Sequence, residues 1–135
     1  MTARLLAVAF LVVLSHPSHA QLVEFEGLPM VKVEVREGKA TTQMVSPNRQ
    51  SEFRVRIVRD GDRFLWVTRN NLPMVKQESG SYVTYTAVSG TGYVRVLGPA
   101  LRAAIQQLPA EQRDREFIYT EHMLHQLGSI TYFGK

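Results

Sequence analysis

The 135-residue sequence contains no cysteine. This absence excludes disulfide bonds, lipidation of a thiol and a cysteine nucleophile, so the folded chain has to rely on its apolar core and hydrogen bonds. Long apolar runs are also absent. The longest one, from Leu5 to Leu14, has ten residues, which is too short for a helix to cross the roughly 30 Å of a bilayer core. The sequence therefore predicts no transmembrane segment.

The first 20 residues have the three-part layout of a secretory signal peptide. Arg4 precedes the apolar run, and a polar stretch then leads to small residues at Ser18 and Ala20. We therefore expect cleavage after Ala20 and a single mature domain over residues 21–135. The leader, together with the lack of disulfides, indicates export to a bacterial periplasm or secretion.

A strong charge of one sign is missing as well. Without Arg4 the mature chain has 15 basic and 12 acidic residues, a net charge of +3. This surplus is too small to indicate nucleic acid, which an exported protein seldom meets. The partners that stay open are an anionic small molecule, a glycan or an envelope protein, and no cofactor is predicted.

What the sequence does contain is alternation with a period of two. In "VKVEVREGKATTQMV" valines alternate with charged residues, and Glu37-Gly38 lies where a tight turn is expected. A two-residue loop there places Val35 opposite Ala40 and Val31 opposite Met44. The pattern is typical of a half-buried antiparallel hairpin.

A second hairpin is predicted in "EFRVRIVRDGDRFLWV", where Asp60-Gly61 is a strong turn signal. Folding there pairs Ile57 with Phe64 and places Trp66 in the core. The following segment, "TRNNLPMVKQESG", is interpreted as a connection with a turn at its asparagines. It contains at most a short strand at "MVKQ".

The third hairpin is predicted in "GSYVTYTAVSGTGYVRVLG", with Gly90-Thr91 as its turn. This arrangement pairs Tyr85 with Val96. One face of the hairpin is then apolar, and the other is amphipathic and carries Tyr82, Tyr93 and Arg95. Tyrosines on such a face are either a binding surface or ordinary strand formers.

After Leu97 the period changes to that of a helix. Pro99 suits a first helical turn, and apolar residues recur at helical spacing over residues 99–108. Residues 116–127 are compatible with a strand or a helix, and we favour strands at 116–123 and 129–133. The predicted fold class is α+β. It consists mainly of antiparallel β-hairpins in a curled sheet or partly open barrel, with one short amphipathic helix near 99–108.

Catalytic and metal signals are weak. His122 and His125 share a face and make a metal pair only if their segment is a helix, and no third ligand is spaced to join them. The chain has no G-x-S-x-G or H-E-x-x-H motif. No catalytic residue or metal site is therefore assigned.

We interpret the chain as an exported, non-enzymatic binding or interaction module. Its predicted ligand-binding residues are Tyr82, Tyr93, Arg95, Arg69 and Asn70. The aromatic rings supply area, the arginines pair with an anionic group, and the asparagine adds hydrogen bonds. Two alternatives remain open, namely a cell-envelope hydrolase and a structural or assembly subunit of an envelope complex.

Overall fold

The computed structural model describes residues 21–135, and the predicted signal peptide over residues 1–20 lies outside the described residues. The ten strands are β1 (Leu22–Gly27), β2 (Pro29–Arg36), β3 (Lys39–Met44), β4 (Val55–Asp60), β5 (Arg63–Trp66), β6 (Leu72–Glu78), β7 (Tyr82–Ala87), β8 (Gly92–Leu97), β9 (Tyr119–His125) and β10 (Gly128–Gly134). The helices are α1 (Pro99–Gln106) and α2 (Ala110–Arg113), with 3₁₀ segments at Pro47–Phe53 and Val67–Arg69.

The strands form one antiparallel sheet in the order β1-β4-β5-β6-β7-β8-β9-β10-β2-β3. Only Leu28 separates β1 from β2, yet β1 pairs with β4 and β2 pairs with β10. Because a one-residue connection spans roughly 7 Å, the sheet has to curl until its two ends approach each other. Backbone hydrogen bonds between Leu28 and Lys135, of 2.7 and 3.1 Å, hold this junction.

The predicted hairpins and curled sheet are confirmed, but the fold is mainly β rather than α+β. The helix predicted over residues 99–108 is present as α1, which ends at Gln106, and none of its residues is buried. On its apolar stripe, Leu101 and Ile105 are half-buried and Ala104 is exposed. Among the described residues, no helix is long and apolar enough to cross a membrane.

The first predicted hairpin, β2–β3, has the expected register. Val35 lies opposite Ala40, and both turn residues, Glu37 and Gly38, have positive φ angles of 50° and 77°. These angles are those of the turn type that matches the twist of the two strands. None of the six residues of β3, at the edge of the sheet, is buried.

The predicted register of the β4–β5 hairpin is wrong. Its loop consists of residues 61–62, so that Ile57 lies opposite Trp66 and not Phe64. Only Gly61 in this loop has a positive φ, of 61°. A turn with glycine at its first central position does not need a positive φ at its second central residue. The register is offset by two residues, so every side chain stays on its predicted face.

The β7–β8 hairpin shows the same kind of difference. A four-residue loop at 88–91 replaces the predicted two-residue turn, and Tyr85 lies opposite Val94 instead of Val96. Gly90 supplies the positive φ, of 75°. The predicted faces are confirmed, because Tyr85 and Val94 are both buried.

The segment predicted as a connection contains a full strand, β6, which pairs with both β5 and β7. The turn before it is where the sequence predicts it, since Asn70 and Asn71 both have a φ of 56°.

The strand prediction for the C-terminal segment is also confirmed, with bounds moved to those of β9 and β10. Here β10 pairs on one side with β9 and on the other with β2.

The core lies inside the curl and is built from strands β4 to β9. Its buried members are Val55, Ile57, Trp66, Met74, Tyr85, Ala87, Val94, Val96 and Tyr119. Trp66 is 1% exposed, which confirms its predicted core position. One charged residue among residues 21–135 is fully buried beside this cluster, and it is Glu121.

Candidate functional site

Three of the predicted ligand-binding residues lie together on the outer face of the sheet. Val94 and Val96 of β8 point into the core. Because successive side chains of a strand point to opposite faces, Tyr93 and Arg95 point outward. The Arg95 guanidinium carbon lies 5.7 Å from the ring centroid of Tyr82 and 5.5 Å from that of Tyr93. These distances are typical of cation–π contacts.

His122 extends this group by one strand. It lies directly opposite Tyr93, with the two rings stacked at a centroid distance of 5.3 Å. The Nδ1 atom of His122 is 2.8 Å from the hydroxyl of Thr131. We call Tyr82, Tyr93, Arg95 and His122 the outer shelf.

The outer shelf carries a positive charge without an internal partner. Among residues 21–135, Arg95 forms no ion pair with a carboxylate. Its Nε donates a hydrogen bond of 3.3 Å to the hydroxyl of Thr84. A hollow of about 60 Å³ lies between Arg95, Tyr82 and the neighbouring Phe117. The guanidinium is therefore free to pair with an anionic group from solution.

The other two predicted residues, Arg69 and Asn70, lie on the opposite side of the sheet. They line a cleft of about 230 Å³ at one end of the curl. We call it the end cleft, and its lining residues are Trp66, Arg69, Asn70, Leu72, Thr91, Met123 and Leu124. The five predicted residues thus form two separate groups rather than one site.

Glu121 lies behind the end cleft, bonded to two of its lining residues. One carboxylate oxygen, Oε1, accepts hydrogen bonds of 3.1 Å from Trp66 Nε1 and from Arg69 Nη2. The other oxygen, Oε2, is buried without a hydrogen-bond partner. Burial raises the pKa of Glu121 to about 7, and the attraction of Arg69 and the two hydrogen bonds only partly oppose it.

The histidines do not form a metal pair. They lie three residues apart on strand β9, so their side chains point to opposite faces. His125 Nδ1 accepts a 3.3 Å hydrogen bond from the amide of Leu127. In the part of the chain from residue 21 onward, no group of three or more His, Cys, Asp or Glu side chains is placed to hold a metal ion.

Two features of these sites are not in the sequence prediction. The place of His122 on the outer shelf depends on the pairing of β8 with β9, which alternation alone does not give. The burial of Glu121 has a weak sequence signal, because Tyr119, Glu121 and Met123 alternate with more polar residues. An acid on the apolar side of such a strand indicates a buried carboxylate.

Comparisons with protein-family models, with curated proteins and with solved structures gave no match. The class of protein is therefore defined by its own architecture, a curled antiparallel half-barrel with two arginine-containing surfaces. What each surface binds has to be inferred from its chemistry.

Proposed function

We propose that the mature chain, residues 21–135, is an exported non-enzymatic binding module that holds an anionic ligand on the outer shelf. The observation that supports this proposal is the position of Arg95, which lies against Tyr82 and Tyr93 and has no carboxylate partner among the described residues. Contact with the tyrosine rings fixes the guanidinium plane and leaves its charge for a ligand.

The chemistry of the shelf fits an anionic glycan best among the predicted partners. The tyrosine rings give flat apolar area with polar tips, against which the C–H face of a sugar ring can pack. A carboxylate or sulfate group on the sugar would accept paired hydrogen bonds from Arg95. His122 and Thr84 offer further polar atoms at the edges of the shelf.

The test is calorimetric titration of the mature chain with a uronic-acid oligosaccharide and with its neutral counterpart. We expect binding of the acidic ligand, weakened by added salt. Arg95→Ala should lower the affinity by about tenfold or more, because a hydrogen bond to a charged group contributes ~1.5–3 kcal/mol. The matched control is Arg102→Ala, because Arg102 also lies over an aromatic ring, that of Phe25, away from the shelf.

The proposal is wrong if Arg95→Ala and Arg102→Ala change the affinity equally, or if the neutral sugar binds as tightly as the acidic one. Release of shortened sugars during the titration would instead support the hydrolase alternative.

One observation favours the assembly alternative. The edge strand β3 has six exposed residues, and a free strand edge offers unpaired backbone groups to a neighbouring chain. Sedimentation at increasing protein concentration separates the two functions. Association without any ligand would support assembly, and a monomer at all concentrations would leave β3 as a solvated edge.

A further inference from the structure

We propose that the end cleft is a second binding site, which takes an amphiphilic organic anion on Arg69 and takes up a proton on Glu121 as the anion binds. This site is separate from the outer shelf and does not depend on the function proposed for the shelf.

The first step concerns the hydrogen-bonding capacity of Arg69. A guanidinium has five N–H donors, and three of them have partners here. Nε donates to the Met123 sulfur, Nη1 donates to the carbonyl of Thr68 at 3.1 Å, and Nη2 donates to Glu121 at 3.1 Å. One N–H on each terminal nitrogen is left, and the side chain is 25% exposed at the cleft. Two donors on one planar group suit the oxygens of a carboxylate or sulfate.

The second step concerns the walls of the cleft. Leu72, Met123 and Leu124 line it together with the ring of Trp66, and Leu124 is 56% exposed. A cleft of about 230 Å³ with such walls suits a short hydrocarbon chain next to the charged group. The ligand class is therefore an oxyanion that carries an apolar tail of a few carbons.

The third step concerns the charge on Glu121. While Glu121 is ionised, it neutralises Arg69 and repels an incoming anion. Once it is protonated, the charge of Arg69 has no internal partner, and an anion in the cleft can replace the carboxylate. The missing partner of Oε2 means that the carboxylate is poorly stabilised in its ionised form. Proton uptake and anion binding therefore favour each other.

In this cluster Glu121 is the group that changes its protonation state near pH 7, because the groups that face it keep theirs. Arg69 is the cation, and Tyr119 and Tyr132 are the other ionisable neighbours. Burial raises the pKa values of both tyrosines, so they stay neutral near pH 7. His125 shares the face of Glu121 four residues further along β9, about 13 Å away. His125→Asn is therefore included as a control for this neighbouring side chain.

The experiment is calorimetric titration of the mature chain with hexyl sulfate at pH 6 and pH 8, with hexanol as the neutral probe. Hexyl sulfate keeps its charge over this range, so a pH effect has to come from the protein. We expect the affinity to be up to tenfold higher at pH 6, because a group with a pKa of about 7 changes its proton occupancy between these values. The heat of binding near pH 7 should depend on the ionisation enthalpy of the buffer, which reports proton uptake.

Variants locate the effect. Glu121→Gln should bind at pH 8 as tightly as the wild-type protein binds at pH 6, with no pH dependence. Arg69→Met should abolish binding in the end cleft, whereas Arg102→Ala and His125→Asn should leave the affinity of the cleft and its pH dependence unchanged. Thermal unfolding of each variant verifies that it is folded. If Glu121→Gln does not fold, proton uptake is tested instead by how the heat of binding depends on the buffer in the wild-type protein and in His125→Asn.

Three results would overturn the proposal. The first is equal wild-type affinity at both pH values, and the second is a pH dependence that persists in Glu121→Gln. The third is tight binding of hexanol, which would show an apolar cleft in which Arg69 has no role.

Discussion

Two carboxylates on the inner side of the sheet have the same kinds of partner and opposite electrostatic outcomes. Glu24 accepts hydrogen bonds from Lys76 at 2.6 Å and from the hydroxyl of Tyr85 at 2.9 Å. Glu121 likewise accepts from one cation, Arg69, and one aromatic donor, Trp66. The pKa of Glu24 lies below its ordinary value, whereas that of Glu121 is raised.

Exposure to solvent explains the difference. The side chain of Glu24 is 18% exposed and that of Glu121 is 0% exposed. Burial raises the pKa of Glu24 too, but the hydrogen bonds from Lys76 and Tyr85 outweigh that effect. At Glu121 the loss of water dominates. Similar contacts therefore stabilise the ionised form of Glu24 at the rim, whereas in the interior they do not compensate for the loss of water around Glu121.

The largest expected effect is that of removing the cation from the interior pair. Arg69→Met leaves a fully buried carboxylate without a counter-charge, which costs about 3–5 kcal/mol of unfolding free energy at pH 8. The loss should shrink towards pH 5, where Glu121 is protonated. Urea unfolding at the two pH values measures it. A loss of the same size at both would show that Arg69 acts through packing alone.

The next effect concerns Glu121 itself. In the unfolded chain this group ionises near its ordinary value of 4.5, whereas in the folded chain it holds its proton up to about pH 7. Its contribution is therefore favourable at low pH and is lost as the pH rises between these values. Glu121→Gln should match the wild type at pH 4.5 and be more stable at pH 8, by roughly 3 kcal/mol at most. A variant that is less stable at pH 8 would contradict this assignment.

The smallest effect is expected at the rim pair. Lys76→Met should cost about 1 kcal/mol near pH 7. Because the pKa of Glu24 is lowered, the contribution of this pair is present above the unfolded pKa and is lost as the pH falls through the folded one. As the pH rises, Lys76→Met should therefore become more destabilising, whereas Glu121→Gln should become more stabilising. The same direction in both variants would remove the contrast between rim and interior.

The sequence predicts the faces of the hairpins better than their registers. Tyr85 and Val94 are in the core as alternation indicates, although their strands pair two residues away from the predicted register. A turn can be formed by two or four residues with one suitably placed glycine, and either choice keeps the alternation intact. Only in the β2–β3 turn, with positive φ at Glu37 and Gly38, does the tight two-residue loop occur where predicted.

The candidate sites were predictable as residues but not as arrangements. Tyr82, Tyr93 and Arg95 lie on the exposed side of one hairpin. Because the two strands of that hairpin follow each other in the sequence, their alternation predicts that these three members of the outer shelf lie together. Glu24 had no such signal. It lies in a β-bulge of β1, between Val23 and Phe25, and a bulge redirects a side chain in a way that a regular alternation does not show.

The sequence by itself determined the hairpins, the faces of β7 and β8 and the short helix after Leu97, because these depend on local periodicity and turn residues. Only the tertiary structure decided the pairing of β8 with β9 and of β10 with β2, and with it how completely Glu121 is buried. Those pairings join segments far apart in the chain, where local periodicity and turn residues carry no information. Burial, and hence the charge state of a carboxylate, is a property of that closed arrangement and not of the residues next to it.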